Sequence, residues 1–263
     1  MEGQVEITKG VPLIESVSKP LLFEPGTSWA YGSSTDWVGI LVMRLSNMSL
    51  EAYMQKYIWD PLGIKNITFH PEVKPEVVKN LVTLTMRGDQ GLFGESKKTD
   101  AKVRWIDDKL FDDLATDEFG SRGAVGSAID FIKILDSICT DDGQLLLSET
   151  IDAMFMPQLS NECQKAFDAV SGDLEGSEQF ASHKPGTRIG HGLAGLILAD
   201  DTDTGLRSGT LSWSGLPNLL WTMDRYTGLS LLYASNVVPF GDIKSHHMQQ
   251  LFEKEMYKRY REA

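Results

Sequence analysis

Among the side chains able to do chemistry, one pairing has a recognisable spacing. Ser16-Val17-Ser18-Lys19 sets a hydroxyl and an amine three residues apart. On a helix such positions face the same way, and a hydroxyl beside a base is the minimum for nucleophilic catalysis. Pro20 argues against that reading. It pushes Lys19 out of the α region, and no apolar helix follows to bury the pair. Ser16 and Lys19 are therefore expected to be a chance match. No Gly-x-Ser-x-Gly elbow, phosphate loop or dinucleotide fingerprint occurs. His246-His247 are adjacent rather than a helical turn apart and are expected on a solvated helix face. His191 leads a strand without a second ligand nearby, and His70 and His183 fall in loops. No metal site and no cofactor are expected. The acidic pairs at 107–108, 112–113 and 141–142 read as solvated surface, because neighbouring carboxylates flank no shared pocket. Cys139 and Cys163 make neither a disulfide framework nor a CxxC site.

The elements that must position such groups follow from periodicity. Residues 1–30 are irregular and rich in Pro and Gly. A helix is predicted after Tyr31, capped by Ser34 or Thr35, with Trp37, Ile40, Leu41 and Leu45 at helical spacing and a break at Asn47. Ser49 caps a second helix that places Leu50, Tyr53, Met54, Tyr57 and Ile58 on one face and stops at Pro61-Leu62-Gly63. Residues 70–118 read as loops and short strands. A helix from about Ser127 to Cys139 carries Asp130 in its early turns, where the dipole favours an acid. Asp142-Gly143 is a turn, and Ser148 caps a short helix through Phe155. Residues 158–188 are loop-like. The last third changes period: strands are predicted at 193–198, 216–223 and 229–237, with residues 224–228 as a hairpin turn. An amphipathic helix over 243–261 closes the chain, with Met248, Leu251, Met256 and Tyr257 toward the core. Strands joined by a tight hairpin are antiparallel, so the class is α+β.

The chain has 263 residues, 41% hydrophobic and 24% charged, with a net charge of −12. That suffices for one sizeable core, and a single domain over 1–263 is expected. An acidic surface disfavours nucleic acid or anionic membrane as partner. Neither an apolar leader nor an 18-residue apolar run is visible, so a cytoplasmic location is expected.

Three stretches together resemble the serine β-lactamase-like family of esterases, transesterases and D-Ala-D-Ala peptidase relatives. The first runs from Pro20 through Phe23-Glu24-Pro25-Gly26-Thr27-Ser28-Trp29-Ala30-Tyr31-Gly32-Ser33. The second is Gly120-Ser121-Arg122-Gly123-Ala124-Val125-Gly126-Ser127-Ala128-Ile129-Asp130-Phe131. The third is Leu211-Ser212-Trp213-Ser214-Gly215-Leu216-Pro217-Asn218. The third looks most like fungal acyltransferases of polyketide pathways.

The resemblance implies an antiparallel sheet with flanking helices, N-terminally incomplete. It implies acyl transfer or ester hydrolysis through an acyl-enzyme, in which a Ser-x-x-Lys serine attacks, a tyrosine helps move the proton, and a backbone N–H on an edge strand steadies the oxyanion. Carried onto this chain, Tyr31 takes the tyrosine's place, Ser33 stands where asparagine is common, and Trp213, Ser214 and Gly215 match the third motif. A tryptophan there, in place of a cationic residue, favours ester or thioester substrates over a β-lactam or peptide carboxylate. The implied partners are a small-molecule acyl donor, free or carrier-bound, and an alcohol acceptor. The family's Ser-x-x-Lys lies well upstream of its tyrosine, so the nucleophile is expected outside this chain. Apolar faces left bare would promote self-association. Arg122 could grip a carboxylate bidentately, although such arginines more often pair internally. Tyr226-Thr227-Gly228 imitates a Lys-Thr-Gly motif but sits in the hairpin turn, where its glycine is structural.

Overall fold

A computed structural model describes residues 11–89, 101–106, 117–173 and 186–263. In chain order the elements are α1 (Leu13–Val17), α2 (Ser34–Ser46), α3 (Leu50–Met54), β1 (Ile67–Thr68), α4 (Pro75–Lys79), β2 (Thr85–Arg87), β3 (Val103–Trp105) and β4 (Val125–Gly126). There follow α5 (Ala128–Thr140), α6 (Ser148–Met154), α7 (Asn161–Asp173), β5 (Ile189–His191), β6 (Leu196–Leu198) and β7 (Leu211–Gly215). The chain ends with β8 (Leu219–Asp224), β9 (Leu229–Ala234), β10 (Val237–Val238) and α8 (Ile243–Glu262). Described residues fall into two compact units. One lies within Met1–Glu24, Tyr31–Leu81 and Asp108–Phe131, the other within Pro25–Ala30, Val82–Asp107 and Ile132–Ala263.

The first unit is built around α2. Ser33 is its N-cap by backbone alone: its carbonyl accepts from Asp36 and Trp37, and its side chain makes no capping bond. The cap thus falls one residue before Ser34. Asn47 ends the helix in the left-handed conformation, as its short polar side chain permits. The buried side of α2 holds Ile40, which packs with Leu13, Val17 and Phe119. Trp37, Leu41 and Leu45 are exposed instead, so the helical period was right and the buried face was not. Ser49 accepts from the Ala52 amide and starts α3, which passes into a π-helical turn, Gln55–Trp59. β1 pairs antiparallel with β4. Asp130 gathers the backbone amides of Lys65 and Asn66 and the Asn66 side chain. It therefore does more than complement the dipole of α5.

The second unit holds a five-stranded sheet in the order β5-β6-β7-β8-β9, antiparallel throughout. The β8–β9 hairpin is fixed by Asp224: one carboxylate oxygen accepts from the amides of Tyr226 and Thr227, the other from the Tyr257 hydroxyl at 2.8 Å. Gly228 takes the positive φ that this turn requires. Tyr226-Thr227-Gly228 is thus a turn. A second sheet, β10-β2-β3, joins one parallel and one antiparallel pairing.

The core of this unit gathers Phe167, Leu196, Leu198, Leu206, Leu231 and Tyr257. Phe167 belongs to α7, a 13-residue helix lying where the sequence had read as loop. α8 inverts another expectation. Its buried side carries Tyr257 but also His246, Gln249 and Glu253, while Met248 and Leu251 face outward. His246 is therefore buried, not solvated. Burial pushes its pKa down to about 4, against the pull of Asp242. Burial likewise raises Glu253 to about 8, against hydrogen bonds from Thr204 and Gln249. No described helix is long and apolar enough to cross a membrane. The charge clusters at 97–98, 107–108 and 112–113, and His183, lie outside the described residues.

Candidate active site

Tyr31 stands three residues ahead of α2 in the first unit and is 62% exposed. Crowding of its hydroxyl by the surrounding chain, then the Asp36 carboxylate, raise its pKa, and the Arg122 guanidinium opposes them. Asp36 is buried and accepts the Ser121 amide at 2.9 Å. That bond ties the Gly120-Ser121-Arg122-Gly123 loop to the first turn of α2. The loop can approach only because residue 120 is glycine: a Cβ there would meet the Thr35 carbonyl oxygen at 2.2 Å. Arg122 lies over the Phe119 ring, 4.2 Å from its centre, and its buried Nε has no hydrogen-bond partner among the described residues. The internal acid expected for Arg122 therefore finds no counterpart in a described hydrogen bond. Ser33 is half-buried beside this group, with no capping role for its hydroxyl.

Trp213, Ser214 and Gly215 end β7 in the second unit. β7 is the middle strand of five, not an edge strand, yet its pairing is uneven. The β6 register ends at Ser212, whereas Trp213, Ser214 and Gly215 continue opposite Trp221, Leu220 and Leu219 of β8. No described atom comes within 4 Å of where a Cβ on Gly215 would lie, so this backbone borders open space. Trp213 is half-buried, its ring 5.7 Å from His191, which lies 6.3 Å from Trp29. Trp29 meets Phe167 edge-on at 4.8 Å. Trp221 is half-buried opposite Trp213.

Asn218 ends the run that resembled the third motif, and its role is internal. Fully buried, it donates to the carbonyls of Val237 and Pro239 and accepts from the amides of Gly241 and Asp242. It locks the β7–β8 connection to the segment before α8. Ser16 lies on α1, where its hydroxyl donates to the Leu13 carbonyl. Lys19 falls beyond the helix end, as Pro20 dictates. The two therefore do not share a helical face.

The second unit carries a terminal antiparallel meander and a long helix and the first is largely helical, so the content is mixed α+β, as the three stretches implied. The chain belongs to the beta-lactamase family, whose model matches residues 16–251. Its relatives include the ML-236A carboxylate methylbutanoyltransferase of Penicillium citrinum, 30% identical over 97% of this chain and 59% of that protein. Lovastatin esterase of Penicillium rubens is 32% identical over 94% of this chain and 60% of its own length. A solved variant of simvastatin synthase from Aspergillus terreus superposes with a TM-score of 0.86 at 30% identity, covering 94% of this chain and 58% of that one. The chain therefore spans about three-fifths of the length of these relatives.

Proposed function

We propose that this chain serves serine-dependent acyl transfer, moving an acyl group from a small ester or thioester donor, free or carrier-bound, to an alcohol or to water. Tyr31 relays the proton, and Gly215 with its neighbours Trp213 and Ser214 steadies the developing oxyanion from the end of β7. The observation that carries this reading is Gly215 at the end of β7, where the place of a Cβ is open space, as close backbone approach to a carbonyl oxygen requires. The named relatives, a methylbutanoyltransferase and an esterase, support it as well. Trp213 in place of a cation gives a substrate carboxylate no partner on this strand, which favours esters over β-lactams. The pathway is of the fungal secondary-metabolite kind.

The attacking serine is not Ser16, since Lys19 lies outside the helix that holds it. Treatment with a fluorophosphonate followed by peptide mapping tests this. No adduct is expected at Ser16, and stoichiometric labelling there would overturn the assignment. A second reading, a non-catalytic member that acts by binding or self-association, draws on the bare apolar stripe Trp37, Leu41 and Leu45. Light scattering checks it: concentration-dependent assembly that Leu41→Lys abolishes is the expected sign, and a monomer at all concentrations rules it out.

A further inference from the structure

Away from Tyr31, the first unit gathers three groups of a different kind. Glu51 lies on α3, His70 follows β1, and Glu118 precedes the Gly120 loop. One ligand atom from each lies within 4.8 Å of the others. His70 Nε2 is 2.9 Å from Glu118 Oε1. Both carboxylates are largely inside, with side chains 16% and 9% exposed for Glu51 and Glu118. Buried carboxylates this close require cations. Lys74 supplies one, 3.0 Å from Glu51 Oε1. Glu72 adds a third carboxylate, 3.2 Å from His70 Nδ1. Three carboxylates against one lysine leave an excess of negative charge. The group also has an entrance: His70 and Glu118, with Ser49 and Asp117, border a cleft of about 480 Å3 whose wall includes Leu13, Ile40 and Met43.

We propose that Glu51, His70 and Glu118 bind a divalent cation of the Zn2+ type, at a site separate from the acyl-transfer residues. An imidazole nitrogen with two carboxylate oxygens suits zinc better than calcium or magnesium, which take all-oxygen shells. With metal–ligand bonds of about 2.0–2.2 Å, two ligands of one ion stand at most about 4.2 Å apart. His70 and Glu118 already meet that limit, and Glu51 stands within 4.8 Å of both.

The supporting contacts also fit. Glu51 Oε2 accepts the Phe69 amide at 2.6 Å, and Glu118 Oε2 accepts the Glu51 amide at 2.8 Å. Glu118 Oε1 is thereby left to face His70, while Glu51 Oε1 accepts from the Thr68 hydroxyl and from Lys74. Glu72 at Nδ1 orients the His70 ring, as outer carboxylates do for metal-bound histidines. Lys74 is the competitor for Glu51 Oε1. Its side chain is 31% exposed and its ammonium lies 5.8 Å from the centre of the Trp59 ring. It can move onto that face when an ion takes its place.

Calorimetric titration of the chelator-treated full chain with Zn2+ tests the proposal. One site is expected. His70→Ala and Glu118→Gln each weaken it at least about ten-fold, Lys74→Met tightens it several-fold, and His247→Ala leaves it unchanged. Should Glu118→Gln fail to fold, His70→Ala decides, because that side chain is partly exposed. No stoichiometric binding by the unaltered chain, or a site that survives His70→Ala, overturns the assignment.

Discussion

The five-stranded sheet and the α2 helix answer differently to the same kind of sequence signal. In the sheet, the apolar runs of β8 and β9 mark strands that are covered: Leu220 and Leu231 are buried on one face and Met223 on the other. In α2, apolar residues at helical spacing mark a face equally well, yet Trp37, Leu41 and Leu45 stand in the open. A periodic pattern states which residues share a side. It does not state whether anything covers that side. Burial therefore has to be established separately for each unit, and the energetic weight of an apolar residue follows its burial rather than its spacing.

Substitutions can break or sharpen this contrast. Phe167 is 0% exposed on the helix that sequence missed, so Phe167→Ala should cost about 3–5 kcal/mol in urea unfolding. A loss under about 1 kcal/mol would mean that the second unit collapses around the cavity, against the packing of a rigid core. Arg87→Met should be similarly severe, about 3–5 kcal/mol. Burial pushes the Asp242 carboxyl up, but Arg87 and Ser245 hold it below its ordinary range. Without the arginine, which pairs with it at 2.6 Å, a fully buried charge is stranded.

Gly120→Ala should cost about 1–3 kcal/mol, because its Cβ would strike the Thr35 carbonyl. A neutral result by thermal melting would detach the Gly120 loop from α2. A pH effect comes next. The raised Glu253 pKa of about 8, against 4.5 when free, means the folded chain keeps a proton that the unfolded chain releases. Stability is full below the lower value and falls as pH rises toward the upper one. His246, lowered to about 4 from 6.5, acts oppositely, removing stability as pH falls through that range. Between pH 6.5 and 8 the glutamate slope adds to that of His70, whose pKa the hydrogen-bonded Glu118 carboxylate raises, so Glu253→Gln should lessen the decline in denaturant midpoint there. An unchanged slope would place the proton elsewhere. The smallest effect is expected at Leu45, 80% exposed, where alanine should change stability by no more than about 0.5 kcal/mol.

Much of the framework was legible because its signals are local. Ser49 before Leu50, Asn47 after α2, and the turn after Asp224 each state their geometry in a few residues. Pro20 alone sufficed to remove Lys19 from the helix of Ser16. What sequence hid is what depends on distant partners. α7 carries too many polar residues to show a strong stripe, and its burial rests chiefly on Phe167. His246 read as solvated because nothing near it in the chain reveals the cover over α8. Tyr31, Ser33 and Trp213–Gly215 are candidates by motif, whereas Asp36, which holds the Gly120 loop at 2.9 Å, carries no local mark. The Glu51, His70 and Glu118 cluster escaped for the same reason: its members are far apart in the chain, and no short spacing announces a metal site. Asn218, at the end of the third stretch, serves the backbone around Gly241.

The central claim, that Tyr31 and the Trp213–Gly215 strand end act on one acyl group, is tested most directly by titrating isotope-labelled chain with a non-hydrolysable acyl-thioester analogue and following amide resonances. The account predicts that Tyr31, Ser33, Trp213, Ser214 and Gly215 shift together with a single dissociation constant. Shifts confined to one of these segments, or two unrelated constants, would contradict it.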